Sequence, residues 1–259
     1  MRVGIGRTIF WPGGSLWMGR AMLPSPLHAH HAIQIGLGLG NDVEFRGTAD
    51  DWQAFRGAVI PPDLPHEYRA VGKVVANLFF EPETPVGRKV LERFNATSIG
   101  RIAPSEVDRL AAGILAAFEQ DASNETLAHA CSTLITQLAG QERPHRATDQ
   151  RVLRVIDHVM QHLHEPITLA LAAKVAGLSE GRFRHLFVEE TGVAFRPYLL
   201  WTRLNHALAL ASSGVSLTEA AYAANFADSA HLTRTCRRMF GVLPSALPVT
   251  TSRPAALTG

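Results

Sequence analysis

Cysteine is scarce in this sequence, and long apolar runs are lacking. The 259 residues include only two cysteines, Cys131 and Cys236, which form neither a disulfide framework nor a zinc-binding spacing. We therefore expect free thiols and a cytoplasmic location. The N-terminal residues lack the apolar run of a signal peptide or a membrane span, so we expect no association with a membrane. Hydrophobic residues make up 46% of the chain and charged residues 19%, which excludes a disordered protein.

A strong charge excess is also absent, since the net charge is +2, but the charges are unevenly placed. Residues 150–247 carry ten Lys and Arg against seven Asp and Glu, whereas residues 1–149 carry fourteen against sixteen. The basic excess is small, and it lies in the part of the chain where contact with nucleic-acid phosphates would need it. A chain of this length favours two domains.

Residues 167–192 have the pattern of two short helices joined by a tight turn. Thr168 and Ser179 can cap the two helices, because a side-chain oxygen there accepts a free backbone N–H. Gly177 can end the first helix in the left-handed conformation. Apolar residues recur at helical spacing on one face of each helix. An ordinary helical hairpin and a DNA-binding helix-turn-helix both fit this pattern.

A second copy of the pattern lies at residues 216–241. Ser216 takes the first capping position, Asn225 takes the place of the turn glycine, and Asp228 takes the second capping position. Asparagine is the next most tolerant residue for a left-handed turn. Repetition of the whole pattern, caps included, favours two helix-turn-helix motifs over a chance hairpin. Residues 197–211, between the copies, predict a long connecting helix.

Residues 152–247 resemble the DNA-binding domain of the AraC/XylS family of bacterial transcription regulators. The resemblance is carried by A-x-x-A-G-L-S-x-x-R-F-x-H-L-F from residue 173 and by R-x-x-F-G-x-x-P from residue 237. Asn225 and Cys236 depart from the usual glycine and aromatic residue. Ala246 and Leu247 stand where the family often has an aromatic and a basic residue.

The resemblance implies that the second helix of each motif enters the major groove of double-stranded DNA. The outward-facing candidates for DNA contact are Gly181, Arg182, Arg184 and His185 in the first motif, and Ser229, His231, Thr233 and Arg234 in the second. An arginine can donate two parallel hydrogen bonds to guanine, and each candidate can instead contact phosphate or solvent.

The N-terminal part predicts strands. Ile33, Ile35 and Leu37 alternate with other residues at a period of two, and further strands are predicted at residues 43–45, 57–60 and 74–80. Short strands at this spacing predict a small antiparallel barrel. Residues 104–138 predict helices whose apolar stripe either covers the barrel or forms a dimer contact.

Histidines mark a candidate site in this barrel. His28 and His30 lie two apart and would face the same side of a strand. With Gln34 and His66 they resemble the cupin-like sensor domain found at the N-terminus of such regulators. Because Gln34 replaces the carboxylate usual in the cupin metal site, we expect these four residues to bind an effector, and we expect no metal and no cofactor.

The expected architecture has two domains, a linker and a tail. The first domain is a cupin-like antiparallel β-barrel with helices at residues 1–140. The second is an all-α DNA-binding domain at 150–248, with helix-turn-helix motifs at about 168–192 and 216–241. The linker is expected at 141–149 and a flexible tail at 249–259. The expected function is sequence-specific transcription regulation controlled by a small-molecule effector, with RNA polymerase and a second copy of the chain as further partners.

Two other functions fit parts of the sequence. The main alternative is a metal-dependent cupin-type enzyme fused to a DNA-binding module, and a structural DNA-bending protein is another. No Ser-His-Asp or Cys-His constellation stands out in the sequence, so we expect no enzyme.

Overall fold

The computed structural model describes residues 4–94, 97–140 and 148–247. Residue contacts divide the chain into two compact units, of which the first comprises Met1–Gln141 with Cys236–Gly259 and the second comprises Glu142–Thr235. The predicted tail and most of the predicted linker lie outside the described residues. Among the described helices, none has both the length and the apolar character needed to cross a membrane.

The strands of the first unit all pair in antiparallel fashion. They are β1 (Gly4–Trp11), β2 (Gly14–Ala21), β3 (Ser25–His28), β4 (Ile33–Gly38), β5 (Val43–Gly47), β6 (Gln53–Phe55), β7 (Gly57–Ile60), β8 (His66–Arg69), β9 (Val74–Phe80) and β10 (Gly100–Ile102). One sheet has the order β1-β2-β9-β4-β7-β10, and the other has the order β3-β8-β5-β6. The predicted antiparallel domain is confirmed, and β7 and β9 begin and end at the predicted residues.

The larger sheet is covered on both faces. Ile33 and Ile35 of β4 pack into a core shared with helices, while the alternate residues Gln34 and Gly36 face the other way. Gly36 is required there, because a Cβ at this position would lie 2.6 Å from the ring of Phe45 on the smaller sheet. The alternation of residues along β4 therefore produces two buried faces of the strand. One face is apolar, and the other carries the polar side chain of Gln34.

The α-helices that lie wholly within the described part of the same unit are α1 (Pro85–Arg93), α2 (Pro104–Glu119) and α3 (Asn124–Ala139). The predicted apolar stripe of α2, which includes Val107, Leu110 and Ile114, is buried in the core that contains β4 and β9 residues. The sequence allowed this stripe either to cover the sheet or to form a dimer contact, and in the structure it covers the sheet.

The helices of the second unit follow the predicted pattern. They are α4 (Gln150–Gln161), α5 (Leu169–Ala176), α6 (Glu180–Thr191), α7 (Phe195–Ser212) and α8 (Leu217–Ala223), together with the first part of α9 (Ser229–Phe240). Thr168 Oγ1 accepts the Leu171 N–H at 3.1 Å, and Ser179 Oγ accepts the Arg182 N–H at 3.4 Å. Gly177 ends α5 with a φ of 68°. Both predicted caps and the predicted turn of the first motif are confirmed.

The second motif has the same local construction. Ser216 and Glu219 form a reciprocal capping box at the start of α8. Asn225 has a φ of 56°, and its carboxamide donates to the His164 carbonyl at 2.8 Å. Asp228 Oδ1 accepts the His231 N–H at 2.6 Å at the start of α9. The asparagine thus occupies the left-handed position that the sequence assigned to it.

Candidate DNA interface and candidate ligand site

Helix α6 is held by its apolar face and presents a polar one. The buried rings of Phe183 and Phe187 each lie 5.4 Å from the ring of Phe195 at the start of α7. This packing fixes the rotation of the helix about its axis. All four sequence-predicted residues of this motif, Gly181, Arg182, Arg184 and His185, are exposed on the opposite face.

Arg184 has one charged neighbour on its own helix. Its guanidinium lies 3.8 Å from the Glu180 carboxylate one turn earlier, and both side chains are more than half exposed. An exposed pair of this kind stabilises a helix by only about 0.3–0.5 kcal/mol, so the arginine can exchange it for a stronger acceptor. A bidentate pair with a guanine edge is worth roughly 1–3 kcal/mol in discrimination.

The candidate DNA-contacting residues of α9 differ in their exposure to solvent. Arg234 is exposed, whereas Ser229, His231 and Thr233 are half-buried. The His231 imidazole meets the ring of Phe226 edge-on, with 5.1 Å between ring centroids. Arg234 is therefore the most exposed member of this set.

The four barrel residues predicted from the sequence converge. His28 of β3 pairs with His66 of β8 in the smaller sheet, and their rings lie 4.3 Å apart. His30 lies in the turn after β3 instead of in a strand, and its ring is 5.2 Å from that of His66. The Gln34 oxygen lies 3.0 Å from His30 Nε2 and 3.2 Å from His66 Nε2. The structure brings His28 and His30 together, with ring centroids 5.7 Å apart, although His30 does not lie in a strand with His28; their role as an effector site stays a prediction.

Each of the three rings has its other nitrogen on a backbone carbonyl. These Nδ1 contacts are His28 to Pro26 at 2.8 Å, His30 to Ala32 at 3.0 Å, and His66 to Leu64 at 2.8 Å. Burial, followed by the nearby His30, lowers the pKa of His28 to about 4. Burial also lowers the pKa values of His30 and His66, so all three rings are neutral at pH 7.

A cavity of about 640 Å³, including its opening to solvent, adjoins this cluster. His28 and Gln34 line the cavity, whereas His30 and His66 lie outside its lining. Its walls include Trp17 and Phe79, whose rings are 5.0 Å apart. The indole Nε1 of Trp17 is buried and finds no hydrogen-bond partner among the described residues.

Sequence reasoning missed most of this lining. Trp17, Asn77 and Phe79 come from β2 and β9, and they meet because Trp17 pairs with Asn77 in the register of the two strands. The available signal was Asn77 itself, because it is the one polar residue in the otherwise apolar sequence of β9. Its amide donates to Tyr68 at 3.5 Å and accepts from Gln34 at 3.1 Å.

Comparison with known proteins identifies the C-terminal region. Residues 172–247 match the family described as helix-turn-helix domain. An uncharacterized HTH-type transcriptional regulator of Staphylococcus aureus is 33% identical over 88 residues, which is 34% of this chain and 12% of that protein. The chain therefore spans about an eighth of the length of such relatives. The C-terminal region carries a helix-turn-helix domain of AraC type, as the sequence predicted.

Solved structures resemble the fold of the whole chain. ToxT from Vibrio cholerae O395 superposes with a TM-score of 0.58, covering 90% of this chain and 95% of that one. A structure of wild-type ToxT from strain SCE256 with unsaturated fatty acid bound gives a TM-score of 0.56, covering 95% and 96%. Identity is 10% in both cases, so the likeness concerns the fold: an antiparallel N-terminal domain followed by a helical one.

Proposed function

We propose that this protein is a sequence-specific, DNA-binding transcription regulator whose activity is controlled by a small molecule bound in the first unit. The observation that carries the proposal is the pair of capped helix-turn-helix motifs. The second helix of each motif, α6 or α9, has a polar face. Two recognition helices in one chain suit two successive major grooves, about 34 Å apart on one side of B-DNA. The Staphylococcus aureus relative is described as a transcriptional regulator, which favours this function over that of an enzyme.

Arg184 and Arg234 are the proposed base-reading residues, because each is exposed on the second helix of its motif. Arg182, His185, His231 and Thr233 would contact base edges or phosphates beside them, and Gly181 and Ser229 would allow close approach of the backbone. Phosphates and sugars receive half or more of the hydrogen bonds in protein–DNA complexes. An experiment must therefore distinguish base contacts from phosphate contacts for each of these residues.

The experiment is genome-wide occupancy in the native host, followed by gel shifts on the best site at two salt concentrations. We expect a discrete site with two short motifs about one helical turn apart. Arg184→Ala should relax preference at one or two base pairs, and Arg109→Ala, at an exposed residue of α2, serves as the control. Uniform weakening on every sequence would make Arg184 a phosphate contact, and diffuse binding by the wild type would contradict the proposal.

The cavity indicates the chemistry of the effector. Its aromatic walls favour an apolar body, and the buried Trp17 N–H needs an acceptor, so the ligand should carry an oxygen. Tyr68 also lines the cavity, and burial raises the pKa of its hydroxyl, so the O–H stays available as a donor. Binding of an unsaturated fatty acid by ToxT supports a small-molecule role for this fold.

Thermal-shift and tryptophan-fluorescence titrations with oleate and with phenylacetate test this site. We expect at least one of these carboxylates to raise the unfolding temperature. Trp17→Phe keeps an aromatic ring but removes the donor, and it should weaken binding at least tenfold, consistent with roughly 1.5–3 kcal/mol for a hydrogen bond to a charged group. Trp52→Phe, outside the cavity lining, is the matched control. Equal effects of the two substitutions would place the ligand elsewhere.

The remaining partners follow from the proposed function. We expect the protein to act on the chromosome in the cytoplasm, to contact RNA polymerase if it activates, and to form a homodimer if its operator contains more than two half-sites. Light scattering with and without operator DNA checks the oligomeric state, and transcription in vitro checks the polymerase.

A further inference from the structure

The loop between α4 and α5, residues 162–168, is anchored at several points within the second unit. Leu163 and Ile167 are buried in the core to which α4, α5 and α6 contribute. Between these two residues, the Glu165 carbonyl accepts from the Arg203 guanidinium at 2.7 Å. Arg203 lies in the middle of α7, so the connecting helix braces the loop that leads into the first helix-turn-helix motif.

Asn225, in the turn between α8 and α9, reaches the same loop from the second motif. Its amide nitrogen donates to the His164 carbonyl at 2.8 Å. Its φ of 56° is left-handed, and glycine adopts this conformation at lower cost. The glycine that is usual here in AraC/XylS sequences would therefore satisfy the backbone of the turn. The carboxamide adds a contact between the two motifs that glycine cannot make.

We infer that Asn225 is a positioning residue, which holds the second helix-turn-helix motif in a fixed position relative to the first. The carbonyl that it binds is itself anchored, since His164 lies between the buried Leu163 and the residue that Arg203 holds. Helix α9 begins at Ser229, four residues after Asn225, so an anchor on the turn restricts the start of this helix directly.

The consequence for DNA rests on the proposed function, because a fixed separation matters only if both motifs read one operator. Two recognition helices that are held at a fixed separation favour one spacing of half-sites over its neighbours. A looser second motif would accept neighbouring spacings more easily, and it would bind the natural spacing less tightly because the second helix must be ordered on binding.

Pulsed electron paramagnetic resonance on the full-length protein measures the separation of the motifs without DNA. Spin labels attached after Val188→Cys on α6 and Ala230→Cys on α9 report the distance between the two recognition helices, and both positions are exposed. The native thiols of Cys131 and Cys236 are buried, so they should not compete for the label.

We expect a narrow distribution of distances that broadens in Asn225→Gly, which keeps the left-handed turn and removes only the carboxamide. Asn205→Ala is the matched control, because the Asn205 amide donates to the Trp201 carbonyl of its own helix, and it should leave the distribution unchanged. A distribution that is the same in Asn225→Gly and the wild type would overturn the inference, whatever the protein does with DNA.

Gel shifts measure the effect on DNA recognition, with the natural operator, operators with one base pair inserted or removed between the half-sites, and a single half-site. Asn225→Gly should bind the natural operator roughly three- to tenfold more weakly, since one hydrogen bond changes an equilibrium by about this factor. The loss should be smaller at the altered spacings and absent on the single half-site. Asn225→Asp tolerates the same turn but has no donor, so it should lose the same preference for spacing.

The two measurements separate this inference from the proposed function. Equal weakening by Asn225→Gly at every spacing and on the half-site would overturn a positioning role, because a general loss of folding acts in that way. Wild-type binding without any preference for spacing would contradict paired reading by the two motifs, and the distance distributions would still decide whether Asn225 holds them together.

Discussion

The left-handed backbone at Gly177 gives a prediction at the scale of one residue. A Cβ here would meet nothing within 4 Å, so the cost of Gly177→Ala is purely conformational, about 1–2 kcal/mol. Gly181 also has open space around it but lies inside α6, where Ala is favoured by roughly 0.5–1 kcal/mol. Denaturation followed by circular dichroism should therefore show effects of opposite sign. Destabilisation by both substitutions would mean that packing, and not φ, controls these sites.

Glu81, at the end of β9, gives a prediction about pH. Burial, followed by the charge of Glu83, raises the pKa of the Glu81 carboxyl to about 8. The folded protein thus holds a proton that the unfolded chain loses above its ordinary pKa of 4.5. Stability from this group is present below pH 4.5 and is lost as pH rises towards 8.

Glu81→Gln keeps the neutral form at every pH and should remove this loss. Its stability relative to the wild type should increase between pH 5 and pH 8, by up to about 1.4 kcal/mol for each pH unit. Unfolding temperatures measured across this range check the result, with the exposed Glu119→Gln as the control. A difference between Glu81→Gln and the wild type that does not change with pH would show that Glu81 is ionised in the folded state.

Local chemistry explains which single residues could be predicted. The caps Thr168, Ser179 and Ser216 each accept from a backbone N–H three residues further on, so the local sequence was enough to predict them. Helix α1 was missed although Thr84 and Pro85 gave the same kind of signal. Trp17 could not be assigned, because its role depends on the pairing of β2 with β9, about sixty residues apart.

At the scale of elements, α7 joins the two helix-turn-helix motifs that are proposed to bind DNA. Its 18 residues form a helix about 27 Å long between the two helix-turn-helix motifs. The sequence predicted this connector because its buried side follows the helical period. Tyr198 and Leu204 are fully buried on that side, which makes the connector a rigid part of the core.

A rigid connector makes the spacing of the operator critical. Inserting five base pairs between the two half-sites turns one of them to the opposite side of the duplex, and we expect affinity to fall at least tenfold. Gel shifts on the natural site and on sites with insertions of one, five and ten base pairs measure this dependence. A scrambled flanking sequence of equal length is the control. If affinity is unchanged by the five-base-pair insertion, only one recognition helix enters a groove.

At the scale of the whole molecule, the boundary between the two compact units falls inside α9, between Thr235 and Cys236. Residues Ser229–Thr235 of α9 carry candidate DNA contacts in the second unit, and its remaining residues belong to the first. Phe240, at its end, is among the residues lining the cavity. This continuity was not visible in the sequence, which predicted a simple division of the chain near residue 150, and that division stays a prediction.

The proposed control of DNA binding by a cavity ligand predicts coupling between ligand and DNA. A cavity ligand that changes operator affinity by a given factor must have its own affinity changed by operator DNA by the same factor. We expect a factor of 5–150, corresponding to about 1–3 kcal/mol. The measurement is a pair of titrations with whichever of oleate and phenylacetate binds: ligand into protein with and without operator, and operator into protein with and without ligand. Trp17→Phe should reduce ligand affinity in both states without changing operator affinity in the absence of ligand. If ligand binding leaves the operator affinity unchanged, the cavity does not control DNA recognition.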